Sequence, residues 1–296
     1  MTLRISIIIP SFNSEATICR TLDSIRGQKY SNLQLICVDG ASHDQTVDCI
    51  KKYGALVSQL VVESDTGPAS AINKGLSLAD GEVVCWLNSD DELKENSLSY
   101  VGDFFQKNPD VDVLSGGCTR MFVDGTQIDT AVPQNFLRVV ALRNDIEQPS
   151  TFWRLSLHRK LGKLDEDFAF AFDWEWWNRL ALARARWALT PEVLSIYHFS
   201  DYNLTSNAGI RVVNEMYKIT KKYDSFLIAI LYKLIFKIFD MRGFYDNPFH
   251  QLSLNRRLFL GSFLNIAYIF FTKERVNSYN WNWASRQIRG DKFWFK

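Results

Sequence analysis

Four times in the first ninety residues an apolar run gives way to helix-start chemistry, and this alternation constrains the fold more than any other feature of the chain. Residues 4–9 (RISIII), Leu33–Val38, Leu60–Val62 and Glu82–Leu87 read as strands, the first of them apolar enough to be buried. After the first, PSFNSE offers Asn13 or Ser14 as an N-cap and Glu15 in the first turn, and Ile18, Leu22 and Ile25 follow at helical spacing. Ser42 or Asp44 caps a second helix carrying Val47 and Ile50, and a third helix is expected around Ala69–Leu78. Repeated strand–helix units predict the α/β class: an open, Rossmann-like, mostly parallel sheet with helices on its faces. Such sheets bind ligands beyond the carboxyl ends of their strands. Asp39, Asp65 and Asp90 each stand just after a strand.

The fourth strand runs into Asn88, Ser89, Asp90 and Asp91. Side-chain oxygens gathered at the mouth of a buried strand are costly unless a cation compensates them. Hard oxygen ligands suit Mg2+ or Mn2+, which commonly arrive with a diphosphate. The bland alternative is a surface turn followed by a helix that Asp91 caps, over Asp91–Leu98. Beyond residue 100 the alternation stops. Val113–Val123 and Thr126–Val132 flank Asp124-Gly125, a hairpin signal, and Gln148–Arg154 reads as a strand or loop. A helix is expected from Trp174, with Asp173 as its N-cap, Trp174, Trp177 and Ala181 on one face, and Trp176 and Leu180 beside it.

The net charge of +1 conceals two unlike regions: residues 1–205 carry 19 Lys and Arg against 27 Asp and Glu, and residues 206–296 carry 15 against 6. Two domains with different jobs follow from that split, 1–205 and 206–296. In the second, Phe226–Phe239 and Leu258–Phe271 interleave basic and aromatic residues and are too short or too interrupted to span a bilayer. They suit helices lying in a membrane interface, or else a helical subdomain packing on the first domain. Five cysteines without CxxC spacing read as reduced core residues, and the opening MTLRISIIIPSF runs into a strand rather than a signal peptide. A cytoplasmic protein, peripheral on the inner face of the membrane, is the expectation.

SIIIPSFN (6–13), VDGASHDQT (38–46), ESDTGPASAINKG (63–75) and WLNSDD (86–91), followed by QPSTFWR (148–154) and FDWEWWNRL (172–180), resemble the family 2 glycosyltransferases of GT-A fold, over roughly residues 4–205. The likeness is greatest to enzymes of bacterial polysaccharide synthesis, such as O-antigen, capsule or exopolysaccharide. The resemblance implies a nucleotide-binding half over about 1–100 and an acceptor half over about 101–205. It implies a nucleotide-diphosphate sugar donor, UDP-sugar by preference, and a glycan or undecaprenyl-diphosphate-linked acceptor, with no nucleic-acid partner. Pro10, Ser11, Asn13, Asp39, Asp65, Lys74 and Ser89 would lie against the nucleotide, with Asp39 accepting from the base edge. Simple capping is the competing role for Asn13 and Asp44.

The first acidic position of the family's Asp-x-Asp motif is Asn88 here. Asp90 and then Asp91 are therefore expected to hold the Mn2+ or Mg2+, with Asn88 and His198 as weaker candidates, and the cation would neutralise the departing diphosphate. Inverting transfer also needs a general base for the acceptor hydroxyl. The resemblance puts it at Asp173, with Glu175 as second choice. Gln148, Trp153 and Trp177 are expected on the acceptor side. The competing functions are a catalytically decayed scaffold, suggested by Asn88 and the altered segment around His198, and other enzymes on similar sheets. A dinucleotide oxidoreductase lacks its G-x-G-x-x-G here, and a sugar-nucleotide pyrophosphorylase its Gly-rich basic loop.

Overall fold

The four expected strands are present and lie side by side. In the computed structural model, which describes residues 2–132, 134, 136–141, 144–200, 203 and 210–224, the elements run β1 (Ile5–Ser11), α1 (Ile18–Gly27), β2 (Leu33–Asp39), α2 (Thr46–Lys51), β3 (Gln59–Val62), α3 (Pro68–Leu78) and β4 (Val83–Trp86). There follow β5 (Glu92–Leu93), α4 (Ser97–Lys107), β6 (Val113–Met121), β7 (Gln127–Thr130), α5 (Phe136–Val139), β8 (Thr151–Arg154), α6 (Leu155–Leu161), α7 (Phe172–Leu182), β9 (Trp187–His198) and α8 (Ile210–Tyr223). The chain divides into two units, Met1–Phe199 and Ser200–Lys296.

Within the first unit one nine-stranded sheet runs in the order β3-β2-β1-β4-β8-β6-β9-β5, with β7 also paired to β6. β1, β2, β3 and β4 are mutually parallel, and every residue of β1 and β4 is buried, as strands covered on both faces require. α3 packs on β1 so closely that a Cβ on Gly75 would fall 2.4 Å from Ile8 Cγ2. β8 then enters antiparallel between β4 and β6, with Val84 opposite Trp153 and Leu114 opposite Phe152. That reversal carries the start of β8, and Gln148 before it, to the carboxyl end of β4. β9 runs parallel to β6 and brings His198 to the same end of the sheet.

Two helix starts differ from expectation. α1 begins at Ile18, not after Asn13, because Asn13 adopts a left-handed backbone (φ 49°) and the chain turns once more before the helix. The acidic cluster does not cap a helix at Asp91. It leads into the short β5, and α4 starts only at Ser97. The hairpin at Asp124-Gly125 is present, with Gly125 at φ 82° and Met121 opposite Gln127.

The core between β4, β8 and α7 is a cluster of four fully buried tryptophans. Trp86 stacks on Trp177 (centroids 5.8 Å, 5° between planes) and meets Trp153 edge-on at 5.3 Å, and Trp176 lies 6.0 Å from Trp153. Trp153 and Trp177, expected to line the acceptor side, are 0% exposed and instead form the floor beneath the strand ends. His158 on α6 packs 5.1 Å from Trp176. Burial, and then the charge of Arg179, bring its pKa down from 6.5 to about 4. The folded protein therefore keeps His158 neutral at pH values where the unfolded chain protonates it. Its contribution is complete above pH 6.5 and is lost as the pH falls towards 4. Urea unfolding at pH 7 and pH 5 should show His158→Leu losing about 2 kcal/mol less stability between the two than the parent. Equal losses would place His158 in a solvated setting.

In the second unit α8 sets Val212, Glu215 and Ile219 at helical spacing along one face. The segments 226–239 and 258–271, expected to lie on a membrane, fall outside the described residues. Among the described residues no helix is long and apolar enough to cross a membrane.

Candidate active site

The carboxyl ends of β1, β2, β3 and β4 carry the oxygen-rich residues that the sequence pattern singled out. At the end of β2, Asp39 is fully buried: its Oδ2 accepts from the hydroxyls of Ser11 and Ser42 (both 2.7 Å), and its Oδ1 from the Ser42 amide (2.7 Å). It organises the two loops and leaves none of its surface for a base edge in this conformation. Asp65, after β3, is exposed and accepts from the Gly67 amide at 2.9 Å. It stands where a side chain on Gly40 would be: a Cβ there would lie 2.9 Å from Asp65 Oδ2. Partial burial, and more weakly the Asp39 charge, raise the Asp65 pKa.

Asn13 serves the loops rather than a helix cap. Its amide donates to Ser42 Oγ (2.8 Å) and its Oδ1 accepts from the His43 amide (2.9 Å). Asp44 takes the Thr46 amide and hydroxyl at the start of α2, the local role that its position suggested; burial pushes its pKa up, and these bonds together outweigh that and leave it lowered. Pro10 is buried within β1, whose buried run ends at Ser11, and Phe12 just beyond is 57% exposed, its ring edge-on to His43 at 6.4 Å. Lys74 pairs with Glu63 at the rim. Ser89 shares a hydrogen bond with Ser14 (2.8 Å), tying the acidic turn to the first loop.

At the end of β4 the two acidic residues differ. Asp90 is partly exposed, and Asp91 is completely buried with no hydrogen-bond partner for its Oδ1. Burial raises both pKa values. The charge of Asp90 raises Asp91 further, and the charges of Arg20 and His198 moderate Asp90. Two adjacent carboxylates, one fully buried with an orphaned oxygen and one partly exposed, fit a divalent cation. Among the described residues no group of three or more His, Cys, Asp or Glu side chains forms a metal cage. A cation here would complete its shell with ligand oxygens and water, as Mg2+ and Mn2+ do at phosphate sites. His198 directs Nε2 at Glu92 Oε1 (2.6 Å), which also receives Arg20 Nε at 3.2 Å, and Arg20 donates to the Asp90 carbonyl at 2.9 Å. The histidine is thereby built into a brace behind the acidic turn.

α7 supplies the second carboxylate position. The helix begins at Phe172, two residues before the expected start at Trp174, which puts Asp173 within the first turn rather than at the cap. Phe172 lies 6.0 Å from Trp86, so the helix start adjoins the end of β4. Asp173 is partly exposed; its Oδ1 accepts from the Trp174 amide (2.6 Å) and its Oδ2 from Asn144 Nδ2 (3.0 Å). Glu175, the second choice for a base, is 0% exposed and paired with Arg179 Nε at 2.9 Å, and the Arg179 guanidinium lies 4.7 Å over Trp176. Gln148 reaches the acidic turn from the acceptor half, donating to the Trp86 carbonyl at 2.8 Å.

Residues 6–158 match the family model described as glycosyl transferase family 2. The chain belongs to that family. Its curated relatives include the amylovoran biosynthesis glycosyltransferase AmsB of Erwinia amylovora, 30% identical over 47% of this chain and 46% of that protein. The chain covers between 46% and 66% of the length of these relatives. Among solved structures, S. aureus TarS 1–349 in complex with UDP-GlcNAc superposes with a TM-score of 0.61 at 20% identity, over 98% of this chain and 83% of that one. Mannosyltransferase PcManGT from Pyrobaculum calidifontis, in complex with GDP-Man and Mn2+, gives 0.62 at 19%, over 98% and 86%. The family's GT-A fold is thereby shared, as the motifs implied.

Arg20, Glu92, Asn144 and Phe12 are site residues that the sequence pattern did not single out. Glu92 directly follows the acidic cluster and Phe12 sits inside the PSFN run, so both had a positional signal. Arg20 and Asn144 had none, since their relevance depends on pairings across 70 and 29 residues.

Proposed function

We propose that the protein transfers a sugar, with inversion, from a UDP-sugar to a glycan or lipid-linked acceptor in the synthesis of a bacterial surface polysaccharide. The observation that carries this reading is the convergence, at one end of the sheet, of the adjacent Asp90 and fully buried Asp91, the latter with an unpartnered oxygen, and a separate, partly exposed carboxylate on a helix start. Phe12 and Asp65 line the nucleoside side, with Asp39 holding Ser11 and Ser42 in place. Asp90 and Asp91 hold a Mn2+ or Mg2+, which when bound neutralises the charge developing on the diphosphate. Asp173 takes the proton of the acceptor hydroxyl as that oxygen attacks the anomeric carbon from the face opposite the leaving group. Asn144 orients the Asp173 carboxylate, and Gln148 stands on the acceptor side. Asn88 and His198, the two departures that suggested a decayed scaffold, are both integrated into hydrogen bonds of the acidic turn.

The family membership and relatives named for polysaccharide biosynthesis support the reaction class, and neighbours holding UDP-GlcNAc, or GDP-Man with Mn2+, support a nucleotide-sugar donor with a divalent cation. Calorimetry tests the donor side: UDP should bind at least about tenfold more tightly with Mn2+ than with EDTA, worth about 1.4 kcal/mol. Equal affinity in the two buffers would remove the metal from the site.

A further inference from the structure

The amide of Asn88 lies between two acceptors. Its Nδ2 is 3.2 Å from Asp91 Oδ2 and 3.3 Å from Gln148 Oε1. The direction of both bonds is set by an anchor outside the cluster. Gln148 donates its Nε2 to the main-chain carbonyl of Trp86 at 2.8 Å, and a carbonyl can only accept. The Gln148 oxygen therefore faces Asn88, and only a donor satisfies it. On the other side Asp91 Oδ2 takes the Asn88 N–H, and once a cation holds that carboxylate ionised it too only accepts. A backbone group of β4 thus dictates, through Gln148, that position 88 carry an N–H.

We infer that Asn88 is a positioning residue that ties the buried Asp91 to Gln148 of the acceptor half, and not an attenuated metal ligand. This inference rests on the proposed glycosyltransferase reading for the role of Asp91. An aspartate at position 88 would set one acceptor against two others and add a third carboxylate to the Asp90 and Asp91 pair, which explains why this chain departs from Asp-x-Asp there. The bond also joins the donor end of β4 to the segment leading into β8, so the metal-binding turn and the acceptor wall move as one piece.

The test uses the full-length chain and four variants: Asn88→Asp, Asn88→Ala, Gln148→Ala and the Asn88→Ala/Gln148→Ala double. Thermal midpoints are read in EDTA, Mn2+ affinity by electron paramagnetic resonance, and UDP release from UDP-GlcNAc by steady-state kinetics. Asn88→Asp should lower the metal-free midpoint by about 3–6 °C. It should bind Mn2+ no more tightly than the parent and lower kcat about tenfold with the donor KM within about twofold. The double variant should lose less than the sum of the two single losses, because the Asn88–Gln148 bond is broken by either change while the Asp91 and Trp86 bonds are each broken by only one. Mn2+ binding tightened tenfold or more by Asn88→Asp, with the metal-free midpoint unchanged, would overturn the inference in favour of a ligand at position 88. Additive midpoint losses would overturn the link to Gln148. A parent chain that neither binds Mn2+ nor releases UDP would sink the glycosyltransferase reading, and the midpoint cycle would still decide whether Asn88 and Gln148 are coupled.

Discussion

Asp173→Asn is expected to lower transfer by about two to four orders of magnitude in kcat, the range that a positioned general base supplies. The substitution preserves shape and can still accept from the Trp174 amide, but an amide oxygen cannot take up the acceptor proton at neutral pH. Donor KM should change little, because the proposed role of Asp173 is towards the acceptor rather than the nucleotide. Glu175→Ala is the matched control. It removes the carboxylate partner of the partly buried Arg179 guanidinium, which keeps the Leu161 carbonyl and the Trp176 ring, so it should destabilise the fold by about 1–3 kcal/mol. Turnover per folded molecule should nonetheless be kept. Activity lost in Glu175→Ala and kept in Asp173→Asn would reverse the assignment.

The second large effect is expected at Asp90. Asp90→Ala should reduce metal-dependent turnover about a thousandfold, since charge neutralisation of the leaving group contributes several kcal/mol. UDP affinity in the presence of Mn2+ should fall to the value measured in EDTA. The metal-free protein gives an independent sign. Burial raises the pKa of Asp90, and Asp90 in turn raises Asp91, so the folded state holds protons that the unfolded chain releases as the pH climbs out of the carboxylate range. Stability attributable to this pair is present at low pH and is lost as the pH rises to neutrality. Removing Asp90 relieves that strain. Its variant should melt in EDTA at or above the parent temperature at pH 7, which separates lost chemistry from lost fold.

The donor half was legible because its information is local. Predominantly apolar runs such as Ile5–Ile9 and Val83–Trp86 mark strands buried on both faces, and Asp39, Asp65 and Asp90, which end or follow strands of the sheet, fall at the ligand edge by the geometry of parallel sheets. The acceptor half was less legible because its information is non-local. That β8 enters the sheet antiparallel, between β4 and β6, depends on pairings such as Val84 with Trp153 across 69 residues, which no periodicity announces. The tryptophans show the consequence. Trp153 and Trp177 carry the right chemistry for a sugar platform, yet Trp86, Trp153, Trp176 and Trp177 come from three elements and bury one another. The pairing of Glu175 does carry a sequence signal, because Arg179 stands four residues on at helical spacing. Asn13 shows a different limit. Asn is a good N-cap, but it also tolerates a left-handed backbone, and the loop pairing with Ser42 and His43 selects that conformation.

UDP release from UDP-GlcNAc by the purified full-length protein, followed with Mn2+ and with EDTA beside Asp90→Ala and Asp173→Asn, tests the account most directly. It predicts release that requires the cation, is abolished by Asp90→Ala, and falls at least about a hundredfold in kcat with Asp173→Asn while UDP still binds that variant. Release that continues in EDTA and in both variants would contradict a mechanism built on these two carboxylates.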